Sequence, residues 1–154
     1  MGRLGTTARV TLAVFALAAG SGFTACGDDD ADAFKEDYNA AVKPLSELND
    51  DIGGSIGSAP GKSNEAIAKE FDQLADKALE TRRNLADLEP PEDAKEAYDE
   101  LLTALEGGTD DLRAVAEAAR DSDPQAAGRA SEDLVEAGED IKQAETALQR
   151  AVDG

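Results

Sequence analysis

Beyond residue 31, apolar residues recur every three or four positions along almost the whole chain. The first run is Phe34, Tyr38, Ala41, Leu45, Leu48 and Ile52. The second is Ile67, Phe71, Leu74, Ala78, Leu85 and Leu88, with Thr81 or Arg82 as its weak point. The third is Ala94, Tyr98, Leu101, Leu105, Gly108, Leu112, Val115 and Ala119. The fourth is Ala127, Ala130, Leu134, Ala137 or Gly138, Ile141, Ala144, Leu148 and Val152. This spacing places each run on one stripe of an α-helix. No segment alternates with period two, so no strand is predicted.

The breaks between the runs carry helix punctuation. Gly53–Lys62 (GGSIGSAPGK) reads as a Gly/Ser/Pro loop. Ser63 or Asn64 can cap the helix that follows, with Glu65 favourable in its first turn. Pro90-Pro91 ends that helix, and Asp123-Pro124 is a cap with proline at the first helical position. Four helices follow, roughly 31–52, 63–88, 92–121 and 124–152. Two of the three connections are short, which favours antiparallel neighbours. The expected fold is all-α, an antiparallel up-down-up-down four-helix bundle ~35–45 Å long.

Level residues in such a bundle can be read from the turns. Gly108 comes level with about residue 137, beside Gly138, and with about residue 72, beside Phe71. Phe71 in turn comes level with Pro44. Glycine inside a helix costs ~1 kcal/mol against alanine, so Gly108 and Gly138 on the stripe ask for a reason. Either they make room for the Phe71 ring while Pro44 kinks the first helix around it, or these four residues line a small apolar pocket at mid-height.

Charge changes the picture of partners. The chain has 34 acidic and 15 basic residues, no His, and a net charge of −19. Residues 1–25 contain Arg3 and Arg9 and no acid, so the remainder is more acidic still. Such a surface repels nucleic acid and should stand off anionic lipid. Leu, Ile, Val and Phe are also sparse after residue 25, so acid–acid repulsion should leave the bundle only marginally stable.

Residues 1–25 differ from the rest. Arg3 and Arg9 form a basic start, and Val10–Gly20 is an apolar run too short to span a bilayer comfortably. Small residues then lead to the only cysteine, through Phe23-Thr24-Ala25-Cys26. With one cysteine no internal disulfide can form. Phe23–Cys26 resembles the lipobox of bacterial lipoproteins, with Phe23 in place of the usual Leu. The resemblance implies cleavage between Ala25 and Cys26, and lipidation of the Cys26 thiol. Residues 1–25 would then be a signal peptide, 26–30 (Cys-Gly-Asp-Asp-Asp) an acidic tether, and 31–154 the helical domain. Leu88-Glu89-Pro90-Pro91-Glu92, with the helix through Tyr98, Leu101 and Leu105, resembles the small Ala- and Asp-rich lipoproteins of high-GC Gram-positive bacteria. That group implies location more than activity: a lipid-anchored protein on the extracytoplasmic face of the cell membrane.

Candidate chemistry is thin. Without His, and with Cys26 acylated, the usual general base and thiol nucleophile are missing, and no soft-metal ligands remain. Pairs such as Asp50/Asp51, Asp110/Asp111 and Glu139/Asp140 are adjacent on a helix and point apart, as solvated faces do. Arg82-Arg83 is the only basic doublet after residue 25, and it reads as charge balance. No catalytic residue, metal site or cofactor is expected. The favoured function is a non-enzymatic binding or scaffolding module that meets an envelope protein at its distal loops, Gly53–Lys62 and Ser122–Pro124, with the Pro90-Pro91 turn at the membrane end. A low-affinity divalent-cation buffer or sensor, and a carrier of a small apolar ligand in the bundle core, are the alternatives.

Overall fold

A computed structural model describes residues 29–153. The basic start, the apolar run, Ala25 and Cys26 lie outside the described residues. Within them the chain is all-helical, with no strand. Five α-helices occur: α1 (Asp29–Ala41), α2 (Lys43–Ser58), α3 (Asn64–Ala86), α4 (Lys95–Arg120) and α5 (Pro124–Asp153). Single 3-10 turns occupy Ala59–Gly61 and Glu92–Ala94. α1 starts at Asp29, so two residues expected in the acidic tether are helical.

The first expected helix is broken. Pro44 has no N–H to give to a carbonyl one turn back, and its ring crowds that turn. The chain responds at Val42, whose N–H still reaches Tyr38 O at 2.9 Å while its own carbonyl accepts from Leu45 N at 2.9 Å. That tighter bond ends α1 and starts α2, with Pro44 in the first turn of α2.

The expected loop at 53–62 is mostly helix. α2 runs through Gly53, Gly54 and Gly57 to Ser58. Each glycine weakens a helix, but Leu45, Leu48 and Ser55 are buried and Ile52 and Ile56 pack against the core. Burial of that stripe outweighs local propensity. The chain turns only at Lys62, which is extended, and Ser63 caps α3 by accepting from Ala66 N at 3.3 Å.

The later helices follow the periodic pattern closely. α3 buries Phe71, Leu74, Ala78 and Leu85, and at the weak point it buries Thr81, whose hydroxyl returns to Lys77 O at 3.0 Å. α4 buries Tyr98, Leu101, Leu105, Gly108, Leu112, Val115 and Ala119. The α4–α5 turn puts Ser122 at φ 54°, in the left-handed region. Asp123 then caps α5, accepting from Gln125 N at 2.9 Å and Ala126 N at 3.0 Å. α5 is shallower at mid-length, where Ala137, Gly138 and Ile141 are half-buried between buried Leu134 and Ala144. α3, α4 and α5 make the broadest contacts, and α1 and α2 pack mainly against α3.

Candidate functional site

One end of the molecule gathers both tyrosines of the chain. Phe34 and Tyr38 sit one turn apart on α1, with ring centroids 5.8 Å apart. Tyr98, near the start of α4, meets Phe34 edge-on at 5.5 Å and Tyr38 at 6.5 Å. The Tyr98 hydroxyl donates to the Leu85 carbonyl in the last turn of α3. Burial pushes the Tyr98 hydroxyl up to about 12. It pushes Tyr38 higher, helped by the negative charge of Glu145 on α5. Glu145 is half-buried, and burial raises its carboxyl above the usual range. Beside the rings, Lys35 is almost fully buried, with Asp153 at 3.4 Å and Asp32 at 3.8 Å.

The start of α1, the Pro90-Pro91 turn and the end of α5 therefore share this end. At the other end the two remaining turns touch, with Asn64 Nδ2 donating to Ser122 Oγ at 2.9 Å. Nearby, Glu70 accepts from Ser55 Oγ at 2.8 Å and from Lys62 Nζ at 2.5 Å. These two donors hold the Glu70 carboxyl below its ordinary value, Lys62 most strongly. The cluster locks the end of α2 to α3.

The mid-height residues singled out by the sequence are not all brought together. A Cβ at Gly108 would lie 3.5 Å from Ile141 Cδ1 and 3.7 Å from Ala137 Cβ, so Gly108 faces α5 at the level read from its turn. Phe71 is elsewhere. Its neighbour Asp72 pairs with Arg120 at the far end of α4, whereas Arg82 reaches Leu102 O at 3.1 Å and Glu106 at 2.7 Å. Interpolation puts Gly108 level with about residue 80, roughly 13 Å along α3 from Phe71. Pro44 is displaced too. Ser55 bonds Glu70, and Lys77 pairs with Asp51 at 2.7 Å, so Phe71 stands level with Ser55, roughly 16 Å from Pro44. Moving the α2–α3 turn from the middle of 53–62 to Lys62 causes that shift. Phe71 is 2% exposed, and its ring is core.

An open groove of about 530 Å³ runs between α3 and α4, edged by Asp72, Asp76, Arg113, Glu117 and Arg120. Its arginines are taken: Arg120 pairs with Asp72 across it, and Arg113 pairs with Asp110 at 3.0 Å. The paired acids on helix faces are exposed, with one exception. Asp111 is half-buried, and burial, then Asp133, Asp110 and Glu136, raise its carboxyl. Among the described residues, no cluster of three or more Asp, Glu, His or Cys could hold a metal ion. No described helix is long and apolar enough to cross a membrane.

The tyrosine end escaped the sequence reading. Phe34, Tyr38 and Tyr98 each lie on an apolar stripe of the sequence, but nothing in periodicity says that stripes on α1 and α4 meet through rings. Glu145 gave no signal, since it sits beside the stripe position Ala144. Comparison with protein-family models, curated proteins and solved structures finds no match for this chain.

Proposed function

We propose that the protein is a lipid-anchored lipoprotein on the extracytoplasmic face of the cell membrane, whose helical domain is a non-enzymatic binding or scaffolding module of the envelope. The observation that carries this reading is Phe23-Thr24-Ala25-Cys26, placed just after a basic start and a short apolar run. The domain itself is read as an antiparallel up-down-up-down four-helix bundle. Contacts that step away from the Pro90-Pro91 turn support antiparallel α3 and α4 within that architecture: Tyr98 with Leu85, Glu106 with Arg82, and Arg120 with Asp72. The acidic surface also favours a module held off the membrane, since anionic headgroups repel it.

Such a fold gives an anchored protein two distinct ends. α1 begins three residues after Cys26 at the tyrosine end, so the anchor enters there. The Lys62–Asn64 and Ser122 turns lie opposite, farthest from the bilayer, and an envelope partner would meet them. Replacing Cys26 with Ser tests the anchor. In cells fed a labelled fatty acid, the wild-type chain should take up label and partition into detergent, and the variant should do neither. A variant that is still processed and retained in the membrane would overturn the reading.

A further inference from the structure

We propose that α1 is a detachable clasp, which swings on the break at Val42–Pro44 and comes away from Tyr98 while α3, α4 and α5 stay folded. The proposal does not depend on lipidation of Cys26. Three features of the molecule carry it. The first is the hinge: at Val42 the helical ladder changes from a bond one turn back to the tighter Leu45 N to Val42 O bond, and Pro44 contributes no N–H. The second is the narrow attachment. α1 touches α3 over a far smaller area than α3 and α4 share, and its described side-chain contacts include Phe34 and Tyr38 against Tyr98 and Lys35 against Asp153. The third is that α3–α4 and α4–α5 pack broadly against each other without α1. A 13-residue helix is marginal in water by itself, so α1 should fray once released.

The clasp closes over charge that is unevenly compensated. The ionisable groups at this end include Asp32, Lys35 and Tyr38 on α1, Tyr98 on α4, and Glu145 and Asp153 on α5. The turn before α4 adds Glu92 and Asp93, both exposed. Lys35 is engaged by Asp153 and Asp32. Glu145 is half-buried on α5, and its negative charge opposes ionisation of Tyr38. Burial disfavours the Glu145 carboxylate and raises its pKa. A raised carboxyl contributes stability while protonated, and that stability is lost as pH climbs through the raised value. The clasp should therefore hold more tightly in mild acid than at neutral pH. Opening uncovers the Tyr98 ring and the α4–α5 surface around it.

Amide hydrogen exchange on the full chain tests this, with rates corrected for intrinsic pH dependence. Amides of residues 34–41 should exchange faster than those of α4 and should lose protection between pH 5 and pH 7.5. One proton limits that loss to about tenfold per pH unit. Protection within α4 should change far less. In Glu145→Gln the pH dependence of α1 should vanish. In Phe34→Ala, α1 should lose protection while α3–α5 keep theirs. The clasp is refuted if α1 amides are as protected as those of α4 at both pH values. It is equally refuted if the pH effect survives in Glu145→Gln, or if Phe34→Ala loosens α1 and α3–α5 together.

Discussion

The hydroxyl of Tyr98 on α4 donates to the carbonyl of Leu85 on α3, across the Pro90-Pro91 turn. Leu85 is fully buried and Tyr98 nearly so. The bond pins the first turn of one helix to the last turn of the preceding one, where backbone carbonyls lack helical partners. The same ring supports Phe34 and Tyr38, so it also joins α1 to this junction.

Tyr98→Phe keeps the ring and removes only the hydroxyl. The Leu85 carbonyl still accepts from Leu88 N at 3.0 Å, so it is not orphaned. The loss should be that of one hydrogen bond, about 1 kcal/mol, read by denaturant unfolding. Tyr98→Ala also removes the ring and should cost ~3 kcal/mol or more. Equal losses in the two variants would show that the ring packing contributes nothing.

Two glycines should respond to alanine for different reasons. Gly53 lies inside α2 with open space where a Cβ would go, so Gly53→Ala should stabilise by up to ~1 kcal/mol. At Gly108 the new methyl would make ordinary contacts with Ile141 and Ala137, so Gly108→Ala should also stabilise. Gly108→Leu should instead destabilise by ~1–3 kcal/mol through overpacking. Thermal melts compare all three. A gain for Gly108→Leu would reveal a hollow large enough for a ligand.

Asp111 sets up a pH effect. Its carboxyl is raised by burial and by Asp133, Asp110 and Glu136. A raised carboxyl favours the folded state when protonated, and the advantage fades as pH rises through its folded pKa. Asp111→Asn mimics the protonated form. The variant should melt higher than wild type at pH 7, and the gap should close as pH falls below the ordinary carboxylate range. A gap that persists in acid would assign the effect to packing rather than charge.

The helical stripes were legible because burial follows period 3.6 wherever a helix has one wet face. Every α4 position read from the stripe, from Tyr98 to Ala119, is buried. The capping residues Ser63 and Asp123 were legible as well, since their chemistry is local. The segment at 53–62 was not. Its glycines and serines argue for a loop, and only the inward packing of Ser55 and Ile56 makes it helix. That error of one turn displaced Pro44 and Phe71 from a shared level. The meeting of Phe34, Tyr38 and Tyr98 is tertiary: it depends on which stripes face each other, which a single sequence leaves open.

The proposed orientation makes a final prediction about partners. Lys35 contacts Asp153, and Tyr98 contacts Phe34, so the first half of α1, the Pro90-Pro91 turn and the end of α5 form one end of the domain. Asn64 bonds Ser122 at the other. Ser58 is exposed near that second end, and Glu92 is exposed at the first. If Cys26 carries the anchor, Glu92 faces the bilayer and Ser58 projects beyond it, separated along α3 by about 35 Å. A photo-crosslinker at position 58 should capture an envelope protein in intact cells, and one at position 92 should not. The domain then works as a spacer that presents its Lys62–Asn64 and Ser122 turns. Protein capture only from position 92 would place the partner at the membrane end, and the distal-face assignment would be wrong.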